Sequence, residues 1–247
     1  MAYTDIDKPS DYFETVLWSS VDTSIDTLDF QPDWVWIKSR TNADTQVLFD
    51  SVRGAGERLS SSSDGAESTK TDELTAFNSD GFTLGTGSNV NRASNNNVAW
   101  NWKAGTSVSG NTTGSGTAKT YTGSVNTDAG FSIISFTGNG TSGHTIPHNL
   151  GVAPAMVILK RYDSSNNWRV GHNGLTSWEY RLTLEATEAQ ASQSAVFNST
   201  APTSSVVTLG NSGSANGNGA TYIMYSFAEK QGYSKFGSYT GNGNADG

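Results

Sequence analysis

Short apolar runs separated by polar turn formers set the rhythm of this chain. Trp34-Val-Trp-Ile37 and Met156-Val-Ile-Leu159 are continuous apolar runs rich in aromatic and β-branched residues. They are too short for helices, so they predict buried strands. Pro32 and Pro154 stand just ahead of them, at strand entry, where a missing N–H costs no ladder bond. Ala99-Trp-Asn-Trp102 and Met224-Tyr-Ser-Phe227 alternate as half-buried strands do. Clusters such as Gly85-Thr-Gly-Ser-Asn89 and Gly210–Gly219 read as turns between strands. The best helix candidate is Leu182 to Gln193, as a single short helix or an irregular edge.

The runs recur in one order. Phe30-Gln-Pro-Asp-Trp-Val-Trp-Ile-Lys38 matches Val152-Ala-Pro-Ala-Met-Val-Ile-Leu-Lys160, and Leu48-Phe-Asp50 falls where Val170-Gly-His172 does. Phe77-Asn-Ser79 recurs as Phe197-Asn-Ser199, Phe82-Thr-Leu-Gly85 as Val207-Thr-Leu-Gly210, and Val98–Trp102 as Ile223–Phe227. Five ordered matches indicate an internal duplication. With no interleaved helices, the fold class is all-β: two tandem antiparallel β-sandwich domains. The expected division is repeat one over 1–105, a Gly/Ser/Thr-rich linker with room for a hairpin near Tyr121 over 106–127, and repeat two over 128–232. Gly232–Gly243 repeats the opening Gly130–Gly140 with one insertion, so 233–247 reads as the start of a truncated third repeat.

Composition agrees with this picture. Only 34% of the 247 residues are hydrophobic and 15% charged, while aromatics reach 11%; those anchors separate a loop-rich β protein from a disordered one. There is no cysteine, which excludes disulfides and thiolate zinc sites. Met1–Ser10 is polar, without the basic start and apolar run of a signal peptide. No stretch approaches the roughly 20 apolar residues of a membrane span. Of the net charge of −8, a charge of −7 falls before Trp34. That imbalance disfavours nucleic acid and makes Asp22, Asp26 and Asp29 candidates for docking on a basic partner.

The chemistry-bearing residues are sparse. No Gly-x-Ser-x-Gly elbow and no clustered carboxylate signature is present, so a non-enzymatic protein with no cofactor and no metal is expected. His144, His148 and His172 are the only histidines; a hydrogen-bonding role is favoured over a metal role. Asp163-Ser-Ser-Asn-Asn167 and Gly241-Asn-Gly-Asn-Ala-Asp246 are oxygen-rich but lack calcium-loop spacing, and turn chemistry accounts for them equally. Trp168 and Trp178 flank a loop outside the repeated strand blocks, which makes them the candidates for stacking on a glycan, although core or interface burial is favoured over that role.

The start Met1–Phe13, then Phe30–Arg40, Leu48-Phe-Asp-Ser-Val-Arg-Gly54, Phe77–Gly85, Val98–Gly105 and Tyr225–Gly243, resembles a tandem-repeat family of virion proteins from marine tailed bacteriophages. Repeat one departs from that pattern at Ser19-Ser-Val-Asp22, where Thr-Gly-Asn-Gly is usual. The resemblance implies concanavalin A-like jelly-roll domains and no catalytic residues. It implies a virion structural protein, assembled in the host cytoplasm, in the virion-proximal part of a tail fibre or appendage used in host attachment. Implied partners are other virion subunits, with a homotrimer expected from the family. Two alternatives remain: a lectin-like module that binds host surface glycans, and a head-decorating fibre.

Overall fold

The structure, a computed structural model, describes residues 4–19 and 24–245. Repeat one contains β1 (Phe13–Ser19), β2 (Ser24–Ile25), β3 (Trp34–Ser39), β4 (Val47–Asp50), β5 (Glu57–Ser60), β6 (Ser68–Thr69), β7 (Leu74–Asn78), β8 (Gly81–Leu84) and β9 (Asn96–Trp102), with a 3₁₀ turn at Pro9–Asp11 and a short helix, α1 (Ser88–Asn91). A hairpin follows, with β10 (Thr106–Asn111), β11 (Thr113–Gly114) and β12 (Thr120–Asn126). Repeat two contains β13 (Phe131–Thr137), β14 (His144–Pro147), β15 (Met156–Arg161), β16 (Arg169–His172), β17 (Tyr180–Thr183), β18 (Ala191–Ser192), α2 (Ser194–Phe197), β19 (Val206–Leu209) and β20 (Thr221–Phe227). The fold is all-β and sandwich-like, with every named strand pair antiparallel.

The duplication is visible in the topology. The larger sheet of repeat one runs β1-β9-β3-β4-β5-β6, and that of repeat two contains β13-β20-β15-β16-β17-β18 in the corresponding order. Register corresponds as well. Trp34 faces Trp102 and Asp50, and its counterpart Met156 faces Phe227 and His172. The two proline-plus-apolar segments thus hold the same place in their sheets.

The repeats are stacked rather than strung out. One core lies between β2-β8-β7 and the six-stranded sheet, and another between β11-β14-β19 and the eight-stranded sheet. A third joins the two large sheets, with Trp34, Leu48 and Leu59 of repeat one packed against Phe131, Val170 and Tyr225 of repeat two. The molecule is therefore a four-layer β stack. Both repeats contribute the same face to the middle layer: Leu48 corresponds to Val170, and Trp102 to Phe227.

Three segments compare less simply with expectation. The stretch 106–127 forms the hairpin expected around Tyr121 but is not a free linker, because β12 pairs with β13 and β10 with β12, extending the second large sheet. Tyr121 joins the repeat-two core. Thr112 is buried and bonds His144. Polar residues on the open side of an edge hairpin resemble a tether in composition, because edge strands stay soluble by being polar. Leu182–Gln193 takes the second of its two expected forms, an irregular edge and not a helix: it holds the end of β17 and all of β18, joined by a turn. Leu182 and Thr183 pair with Val170 and Arg169, so sheet pairing overrides the helix propensity of Glu185, Ala186, Glu188 and Ala189. Residues 233–245, the expected opening of a third repeat, contain no strand; only a bridge between Lys230 and Ser234 forms at their start.

Candidate functional site

The residues singled out from sequence occupy different places. Trp168 is fully buried between the large sheets, and its Nε1 donates to the carbonyls of Ser60 (2.8 Å) and Ser63 (3.1 Å) in repeat one. Trp178 is 8% exposed. Its ring meets Phe197 edge to face, and its Nε1 donates to Asn173. The expectation of a glycan platform at these two rings is therefore corrected: both are core residues. Gly171 explains Trp178. It stands where repeat one has Phe49, and a Cβ there would lie 2.3 Å from the Trp178 ring. Trp178 fills the volume that the Phe49 side chain fills in the other repeat.

Of the acidic candidates, Asp26 and Asp29 are exposed, and Asp29 is paired with Lys8 at 2.5 Å. Asp22 lies outside the described residues. In the Asp163–Asn167 loop the polar groups face protein partners. Asp163 accepts from Arg161 and from the Thr221 N–H, and Asn167 donates to Glu185. Among the described residues no group of three or more His, Asp and Glu converges as metal ligands.

His144 and His148 are buried and satisfied as neutral rings. His148 Nε2 donates to the Thr203 carbonyl, and its Nδ1 accepts from the Leu150 N–H. His144 lies between Asn216 Oδ1 (2.8 Å) and Thr112 Oγ1 (2.6 Å). Burial pushes both pKa values below the ordinary histidine value, against the opposing pull of Asn216 and of the Thr203 carbonyl. The unfolded chain takes up these protons near pH 6.5, while the folded protein resists them. Their contribution to stability is thus unaffected above that value, falls as pH drops through it, and levels off below the folded pKa values. Unfolding free energies measured from about pH 7 to about pH 5 should decline in the parent and decline less in His144→Gln.

A lock of polar groups joins the repeats beside the shared core. Asp50 and Arg53 form a fully buried ion pair at 2.6 Å, and Tyr225 of repeat two donates its hydroxyl to Asp50 at 2.7 Å. Burial disfavours the Arg53 cation, but Asp50, then Tyr225 and Glu67, outweigh it and raise its pKa. Lys160 of repeat two donates to three carbonyls, one of them that of Asp64 in repeat one. Burial pushes this lysine down to about 8.

Between the large sheets, on the side of Trp36, the stack opens into an aromatic cleft of about 280 Å³. Trp34, Trp36 and Trp102 of repeat one line it together with Phe131, Ile158 and Phe227 of repeat two. Tyr12 and Phe13 at the start of repeat one, and Tyr233 and Phe236 after repeat two, complete the lining. No lining residue is charged. Trp34 stacks on Tyr225 with centroids 4.5 Å apart, yet the Nε1 atoms of Trp34 and Trp36 are buried without a hydrogen-bond partner among the described residues. Sequence reasoning took the repeated tryptophans for core and missed that they border an opening.

A family model described as a domain of unknown function, DUF7483, matches residues 8–247. The chain belongs to that family. The DUF7483 match spans both repeats and the hairpin between them, so the family unit corresponds to the whole four-layer stack and not to one sandwich. No curated protein and no solved structure matches this DUF7483 chain.

Proposed function

We propose that the chain is a structural segment of a bacteriophage virion, in the virion-proximal part of a tail fibre or appendage, acting in attachment as a stiff spacer and docking body. One observation carries the mechanical half of this reading: the repeats share a buried aromatic core and a buried ion-pair lock. A joint of that kind resists bending, because opening it would expose apolar surface and an unpaired charge together. The phage half rests on the sequence resemblance. Burial of Trp168 and Trp178 removes the platform on which the lectin-like alternative stood.

The acidic start is the proposed docking surface on the particle, in which other virion subunits and further copies of this chain, as a trimer, are the partners. Antibodies against the chain should label purified particles of the phage that encodes it, at the tail. Substituting Asp22, Asp26 and Asp29 together by Asn should lower its incorporation into particles without changing its fold by circular dichroism. Labelling on the head would favour the head-fibre alternative, no labelling would remove the virion reading, and unchanged incorporation would remove the acidic dock.

A further inference from the structure

We propose that copies of this chain join edge to edge, β1 of one copy pairing with β10 of the next, so that a large sheet of each continues into the other. This rests on the homo-oligomer part of the function proposed above and supplies the surface for it.

The two large sheets end on four strands, and two of those ends are open to a partner. β6 and β18 are two residues long, too short to template a neighbour. β1 and β10 run for seven and six residues. Neither contains proline, lysine or arginine, and neither shifts register against its own neighbour, so the usual guards of an edge are missing. The ladders show which groups are open. The Lys103 N–H donates to the Tyr12 carbonyl. In the alternating antiparallel pattern Glu14, Val16 and Trp18 then bond β9, while the N–H and C=O groups of Thr15 and Leu17 point away from the sheet. In β10 the Thr112 N–H donates to the Lys119 carbonyl, which leaves the groups of Ser107, Ser109 and Asn111 pointing outward. These five residues are exposed, Leu17 by 60%, and no strand among the described residues lies against either edge.

The internal duplication indicates what belongs on β1. Its counterpart β13 is not an edge, because β12, backed by β10, covers it. In repeat one the chain ahead of the strand forms the 3₁₀ turn instead, and the corresponding place stands open. A second copy offers the same hairpin through its β10 side. Charge selects this pairing over like with like. Asp5, Asp7, Asp11 and Glu14 lead into β1 against Lys8 alone, whereas 106–127 contains a single charged residue, Lys119. Joining β1 to β1 would set two acidic segments on one seam, and joining β10 to β10 would leave Leu17 in water. Because the two edges differ, the contact is head to tail, and its repetition closes a ring or extends a fibre.

The test is sedimentation equilibrium of the full chain over a range of concentrations, beside Thr15→Pro and Ser109→Pro. Proline there removes an outward N–H and costs no bond within its own sheet. The parent should assemble beyond a dimer as concentration rises, and each variant alone should associate at least about tenfold more weakly. An equimolar mixture of the two should form a heterodimer and stop there, because each retains the edge that the other has lost. If a proline variant loses its fold by circular dichroism, lysine at the same position takes its place. A parent that stays monomeric overturns the edge pairing and the homo-oligomer together. A parent that assembles, with both variants assembling equally well, overturns the edge pairing alone. Loss in one variant only points to like-with-like pairing and overturns the head-to-tail contact, as does a mixture that forms no heterodimer.

Discussion

Trp168→Ala should lower the unfolding free energy by about 3–5 kcal/mol, the range for removing a large aromatic ring from a packed core. The ring is fully buried between the large sheets, and its Nε1 holds two carbonyls of the other repeat. Truncation leaves a cavity and frees both acceptors at once. The shape of the transition matters as much as its size. With a shared core, tryptophan fluorescence and far-UV circular dichroism should report one coincident transition in the parent, shifted as a whole in the variant. Two separated transitions, with only the second repeat's displaced, would show that the sandwiches fold independently and that the middle layer contributes little.

Asp50→Asn should cost about 3–5 kcal/mol, because it strands a buried guanidinium. The Asp50 carboxylate accepts from the Arg53 side chain, from the backbone N–H groups of Val52 and Arg53, and from the Tyr225 hydroxyl. Asparagine keeps the volume but not the charge. Glu67, at 2.7 Å from Arg53, offsets part of the loss, which places the result toward the lower end. The double variant Asp50→Asn/Arg53→Gln should be less destabilised than the sum of the two single ones, since the stranded charge is gone. Simple additivity in chemical denaturation would show that the pair does not act as a unit.

The chain announced much of this architecture. Pro32 and Pro154, the apolar runs behind them and the ordered blocks located β3, β15 and their neighbours, and the two sheets have corresponding strand orders. The middle layer was also written there, though in a form easily passed over. Trp34-Val-Trp-Ile37 and Met156-Val-Ile-Leu159 are apolar at odd and even positions alike, whereas a two-layer sandwich leaves one face of each strand to water and calls for alternation. Continuous runs in both repeats meant cover on both faces. Gly171 opposite Phe49 was a second signal: a missing core side chain in one copy requires a replacement, and Trp178 is that replacement. What the pattern could not give is the aromatic cleft, since it depends on how two sheets splay and not on any local period. Nor could it distinguish the edge hairpin at 106–127 from a tether, because solvent selects the same residues for both.

Because each repeat offers the same face to the other, the joint is self-complementary, and such a surface has a valence of one. Once two copies have closed on each other, neither retains the means to recruit another in the same manner. Chains built from this module would therefore grow by couples, linked end to end through other surfaces, and an unmated copy would carry a greasy flank that invites aggregation.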